Sequence, residues 1–276
     1  MKFDLASEEP TGPYLAKELE ERVLALATQP EGLKDVRDAE QLWYGLSHTG
    51  YAWDEATLRS LISLSAQAMG DWHDNKCMHQ AAICLTLTAK RRGIVLSEVE
   101  REQMTAALLA AITFGEPNDL ALDAEGFVFT AQQLALHLPP AAIKRLHDGA
   151  LLAMPLDKGR KHALTALANT LYDITRLGYQ PTVLEAQLWQ DRLLEGLGPW
   201  EGGVWDRDTL SWVFLALSAC RNYSAPQELK ARLRALAEGL PPDCKPGVAS
   251  RILKACRRWG VRLGPGVAER LQRRYK

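Results

Sequence analysis

The chain has 276 residues, 47% of them hydrophobic and 24% charged, enough to bury a sizeable core and too apolar to be disordered throughout. Its 20 glycines and 14 prolines exclude collagen-like and low-complexity classes. The net charge of −1 excludes a uniformly basic nucleic-acid coat protein.

The opening MKFDLASEEP is acidic and has neither the apolar stretch of a signal peptide nor the Arg/Ser-rich composition of a transit peptide. Leu15, Leu19, Val23 and Leu26 then recur at helical spacing and predict a capping helix over 14–27. Residues 1–37 form an N-terminal capping segment on this reading. In QLWYGLSHTGYAWDEATLRSLISL, Leu42, Trp43 and Leu46 share one helix face, Gly50-Tyr51 stops the helix, and a second helix follows. AAICLTLTAKRRGIVLSEVEREQM repeats the pattern at Gly93-Ile94, and GFVFTAQQLALHLPPAAIKRL repeats it weakly at Leu136-His137. Gly126 to Ile143 lacks charge, but Gln132, Gln133 and Pro139-Pro140 interrupt it, so it does not read as a membrane span.

The clearest copy is Leu167 to Leu197. Leu167, Leu171, Ile174 and Leu177 line one face, Gly178 ends the helix, and Pro181 leads into the next. LSWVFLALSACRNYSAPQELKARL places Asn222-Tyr223 at the same point, and ASRILKACRRWGVRLGPGVAERL places Gly260-Val261 there. The six turns, at 50, 93, 136, 178, 222 and 260, are 43, 43, 42, 44 and 38 residues apart. Left-handed backbone is expected at Gly50, Gly93, Gly178, Asn222 and Gly260, because Gly, and next Asn, adopts it at least cost. One helical pair cannot bury its apolar stripe alone, whereas stacked copies can. The expected fold is therefore all-α: an α-solenoid of about six helix-turn-helix repeats, near 38–75, 76–119, 120–159, 160–206, 207–243 and 244–276.

The string LANTLYDITRLGYQP, Leu167 to Pro181, is similar to the repeat core of octotricopeptide-repeat proteins, which favour an "LANxLWALAKLG" helix followed by a Pro-led second helix. FAST-kinase-type proteins are looser relatives. The SKWP repeats of type III effectors from plant-pathogenic bacteria share a period of about 42 residues. The resemblance spans roughly Asp38 to Tyr275 by architecture and is most specific in the fourth repeat. It implies a solenoid of helical pairs that binds RNA, mostly in organelles.

Several side-chain groups carry atoms capable of chemistry. His73, Cys77 and His79, with Cys84 nearby, offer metal-ligating atoms, but the bland reading is a polar linker entering a helix, and no metal is expected. Cys84, Cys220 and Cys256 fall in first helices and read as small buried hydrophobes. Five cysteines without a C-x-x-C point to free thiols in a reducing compartment, an organelle or the cytoplasm, with no disulfides. Trp43, Trp212 and Trp259 read as core. Trp53, Trp72, Trp200 and Trp205 fall in turns or linkers, where they either stack bases or close a neighbouring repeat's core. Glu98, Glu100 and Glu102 read as a solvated helix face. No phosphate loop, hydrolase elbow or HExxH occurs, so neither an enzyme nor a cofactor is expected.

Charge is the strongest functional signal. From Cys244 to Lys276 there are ten basic residues and one acid, Glu269, a charge of +9 that leaves −10 on residues 1–243. Arg251, Lys254 and Arg258 share one helix face, Arg257 and Arg262 flank the turn, and Arg270, Arg273 and Arg274 line the last helix. Such a cluster can neutralise phosphates, or it can be the solvated cap that a solenoid needs. The expected function is non-catalytic binding of single-stranded or ribosomal RNA through the basic last repeat and exposed first-helix positions. Those positions are Tyr44, Tyr172 and Lys254, six residues before their turns, and Lys90, Thr175 and Arg257, three before. The alternative is a protein-interaction scaffold, with a secreted bacterial effector as one form of it. No membrane partner is expected.

Overall fold

The computed structural model describes residues 13–29, 32–48, 53–70, 75–115, 117–152, 161–197 and 207–273. These hold thirteen helices and no strand: α1 (Pro13–Ala27), α2 (Val36–His48), α3 (Glu55–Gly70), α4 (Asn75–Arg91), α5 (Glu98–Phe114), α6 (Pro117–Gln133), α7 (Pro140–Leu152), α8 (Lys161–Arg176), α9 (Val183–Leu197), α10 (Arg207–Ala219), α11 (Gln227–Glu238), α12 (Pro246–Trp259) and α13 (Val267–Arg273). The protein is all-α among the described residues. No helix among them is long and apolar enough to cross a membrane.

Local chemistry sets where the helices begin. α5 opens on a capping box: the Glu100 backbone N–H donates to Ser97 Oγ at 3.3 Å, and the Ser97 N–H donates to Glu100 Oε2 at 2.6 Å. Thr182 and Glu185 repeat this reciprocal pair at α9, at 3.2 and 2.8 Å. Asp54 accepts the Thr57 N–H at 3.1 Å before α3, and Asp35 accepts the Asp38 N–H at 3.2 Å before α2. The three glutamates of α5 therefore do not form one solvated face. Glu98 and Glu102 are exposed, while Glu100 is buried and also accepts from Arg59 Nη1 at 3.2 Å.

The helix ends divide. Gly93, Gly178 and Gly260 have φ of 66°, 100° and 66°, the left-handed backbone expected of them. At two of them the next residue reaches back five, Ile94 N–H to the Ala89 carbonyl and Val261 N–H to the Cys256 carbonyl, each at 2.9 Å. Gly50 lies outside the described residues. Asn222 is a correction, since its φ is not positive. α10 stops at Ala219, and the Tyr223 N–H closes a four-residue turn on the Cys220 carbonyl at 3.2 Å, a turn that needs no left-handed residue. In the weak copy the left-handed residue is Ala135, φ 53°, one position before the expected turn, with Leu136 N–H donating to the Ala131 carbonyl at 2.8 Å. Gly178→Val should cost about 1 kcal/mol or more in a urea melt, because a β-branched residue resists positive φ.

The chain forms two compact units divided between residues 149 and 150. In the first, α2, α4 and α6 pack in succession, and α3 packs on α5 and α1. Trp43, Met78, Leu85 and Phe127 fill the first layer; Leu58, Leu61, Ile62, Met104 and Leu108 fill the second. In the second unit α8, α10 and α12 pack in succession, with α9 against α8 and α10 and α11 against α12. α10, flanked on both sides, is buried at every residue from Thr209 to Ala219 except Trp212.

Polar rungs join neighbouring first helices about one repeat apart. In the first unit Arg91 Nη1 donates to the Ser47 carbonyl at 2.8 Å, a separation of 44 residues. Thr86 Oγ1 donates to Thr130 Oγ1 at 3.1 Å across 44, and Lys90 Nζ donates to Gln133 Oε1 at 2.8 Å across 43. In the second unit Thr165 and Thr209 share a 3.1 Å bond across 44, and Arg251 pairs with Asp208 across 43. The near-constant spacing of turns in the sequence is thus also a spacing of side-chain partners.

All five cysteines are free thiols. Cys84, Cys220, Cys244 and Cys256 are buried, and burial pushes Cys220 up to about 12 and Cys256 up to about 11. A thiol reagent at neutral pH should therefore titrate Cys77, which is half-buried, in the native chain and the other four only on unfolding.

Candidate nucleic-acid interface

The second unit holds most of the sequence-derived site residues. α12 is strongly two-faced. Val248, Ala249, Ile252, Leu253, Ala255, Cys256 and Trp259 are buried against α10 and α11. Lys254, Arg257 and Arg258 are exposed, as is Arg262 just beyond the Gly260 turn. Among the described residues none of these four has a carboxylate within ion-pair distance. Arg257 and Arg258 also occupy the last turn of α12, where the helix dipole favours cations.

Arg251 behaves differently. Its guanidinium lies 4.4 Å over the Trp212 ring, its Nε donates to Ser211 Oγ at 2.7 Å, and it pairs with Asp208. Only 15% of its side chain is exposed. Burial pulls its pKa below the usual arginine value, and the Asp208 carboxylate opposes that pull. Shared spacing with Lys254 and Arg258 thus did not mean shared exposure: Arg251 sits at the α10 side of the helix and fastens α12 to α10. Asp208→Ala should destabilise the protein by about 2 kcal/mol, below the cost of breaking a fully buried pair because the Asp208 side chain is 43% exposed. Adding Arg251→Met to it should restore much of that loss in the same urea melt, since methionine still covers Trp212 and leaves no unpaired charge.

Beside this cation row lies an aromatic pair. Tyr172 of α8 meets Trp212 of α10 edge-on, ring centroids 6.1 Å apart, and both are half-buried. The guanidinium carbons of Arg176 and Arg258 each lie 5.9 Å from the Tyr172 centroid. Trp212 is therefore not core as expected from its helix, but the floor under Arg251. Thr175 Oγ1 donates to the Tyr172 carbonyl at 2.6 Å.

The remaining residues are dispersed. Tyr44, in the first unit, is 50% exposed with its ring 4.2 Å from that of His48. Lys90, in the same unit, is exposed but bonded to Gln133. Arg273 is exposed on α13, and Arg274 lies outside the described residues. Among the tryptophans expected in linkers, Trp53 is buried and closes core, while Trp72, Trp200 and Trp205 lie outside the described residues, as does His73.

Two features escaped the sequence reading. The S-x-x-E spacing of Ser97 and Glu100 was a visible capping signal. The Asp208–Arg251 pair had no local signal, because its partners are 43 residues apart. No family model, no curated protein and no solved structure matches this chain.

Proposed function

We propose that this is a non-catalytic RNA-binding protein of helical repeats, whose second unit takes single-stranded RNA, free or within a ribonucleoprotein, in a reducing organelle or the cytoplasm. One observation carries the reading. Lys254, Arg257, Arg258 and Arg262 are exposed without carboxylate partners among the described residues, beside the Tyr172–Trp212 pair. A solvated cap calls for charge of either sign, whereas here ten cations stand against one acid from Cys244 onward. Unpaired cations next to half-exposed aromatics suit a strand whose phosphates and base faces are both accessible. Anisotropy of labelled single-stranded RNA at several salt concentrations tests it: log K should fall linearly with log salt, by about 0.7 per phosphate contacted. Absence of binding at low salt would sink it.

A protein-interaction scaffold is the second reading, and one observation favours it. Val183, Leu184 and Leu188 of α9 are 56%, 77% and 51% exposed, a cluster of large apolar side chains facing outward.

A further inference from the structure

The end of the second unit holds an open pocket of roughly 520 Å³ that the basic row of α12 does not line. Its walls are Pro242, from the turn after α11, and Gly266, Glu269, Arg270 and Arg273. The spacing of Glu269, Arg270 and Arg273 puts them on one side of α13, and Gly266 immediately precedes that helix. The volume lies within the range of small-ligand sites, about 300–1,000 Å³.

Arg270 is already half-committed. Its Nη2 donates to the Glu238 carbonyl at 3.1 Å, which ties α13 to the end of α11 and fixes where the guanidinium sits. Its Nε is buried and meets no acceptor among the described residues. That burial keeps Nε out of reach of the pocket, so Arg270 meets a ligand there through its terminal nitrogens. Arg273, one turn further on, is exposed and offers a second guanidinium. Glu269 is the carboxylate of the wall. The nearby Glu238 carboxylate is engaged: Arg234 Nε donates to it at 2.8 Å, and that bond leads in holding its pKa below the usual value, with the Gly264 N–H also lowering it.

We infer that this pocket holds a phosphomonoester, the terminal phosphate of a nucleic-acid strand. The chemistry selects a monoester over the diesters of a chain interior. A monoester carries about −1.5 to −2 at pH 7 and three acceptor oxygens, while a diester carries about −1 and two unesterified oxygens. Two guanidiniums and one carboxylate leave the wall one positive charge in excess, which attracts a monoester about 1.5 to 2 times as strongly as a diester, and arginine forks grip its oxygens two at a time. The inference rests on the RNA reading only for the source of the phosphate; a free mononucleotide offers the same chemistry.

The test uses the full chain and one short single-stranded RNA sequence with an internal label. It is prepared with a 5′-phosphate, with a 3′-phosphate, or with hydroxyls at both ends. One phosphorylated form should bind about tenfold more tightly than the hydroxyl form at equal salt. Arg273→Gln, at an exposed position that leaves folding intact, should bring that ratio close to one, and Glu269→Gln should raise it. Equal binding of all three forms, or an Arg273→Gln ratio like that of the wild type, overturns the inference while leaving the RNA reading in place. A second arm adds adenosine monophosphate or inorganic phosphate to the protein alone and follows its melting temperature. If no RNA binds but adenosine monophosphate stabilises the wild type and not Arg273→Gln, the RNA reading falls and the pocket stands. If nothing binds in either arm, both fall.

Discussion

A chain with Lys254, Arg257, Arg258 and Arg262 all replaced by glutamine is expected to bind single-stranded RNA about 600-fold more weakly near 0.1 M salt. Its log K against log salt should be shallower by about two to three units, and its helical content unchanged. The size follows from counterion release: each contact contributes about −0.7 to the slope, hence about fivefold in affinity at that salt, and four contacts multiply. Glutamine keeps helix propensity, and none of the four exposed side chains has a carboxylate partner to strand. Arg251 is left in place because it is bound to Asp208 and Ser211. Arg251→Gln alone should lower stability and leave the slope where it was. A quadruple variant that is folded and binds with the wild-type slope would reduce the basic row to a solvated cap.

Replacing Trp43 by alanine should remove about 4 kcal/mol of stability, a large share of the 5–15 kcal/mol typical of a domain. Trp43 is completely buried between α2 and its neighbours, and its indole Nε1 donates to Ser65 Oγ at 2.7 Å, itself fully buried. The substitution empties a large volume and also leaves the Ser65 hydroxyl without that donor. Trp43→Phe keeps most of the volume and should cost about 1–2 kcal/mol, the part owed to the lost bond. Urea melts followed by far-ultraviolet circular dichroism separate the two. Equal losses for both variants would show that packing volume is not the dominant contribution.

Positions that depend only on backbone handedness were legible in the sequence. Gly93, Gly178 and Gly260 announce left-handed caps because no other residue takes positive φ so cheaply. Ala135 takes it too, at φ 53°, and could not be read, since nothing in an alanine marks that demand. Asn222 looked like a cap and is not, because α10 ends three residues earlier and a turn fills the gap. The same division runs through the site. Helical spacing correctly put Lys254, Arg257 and Arg258 on exposed positions of α12. It could not show that Arg251 is neutralised by an aspartate on the preceding first helix, nor that the turn at Pro242 lies opposite Arg270 and Arg273. Both depend on how helices stack, which local spacing does not encode.

The rungs between first helices bear on how such a chain can change over evolutionary time. Thr86 meets Thr130, and Thr165 meets Thr209, each across 44 residues. Gaining or losing one residue within α4 or α10 would rotate that helix by about 100°, turning its rung residues away from their partners. Duplicating or deleting a whole segment of one period would preserve the pairing register of the copies on either side. A one-residue change inside such a helix would therefore break its rung, whereas a change of a whole period would keep the rungs in register. When a rung residue does mutate, its compensating change belongs about one period away along the chain rather than among its sequence neighbours.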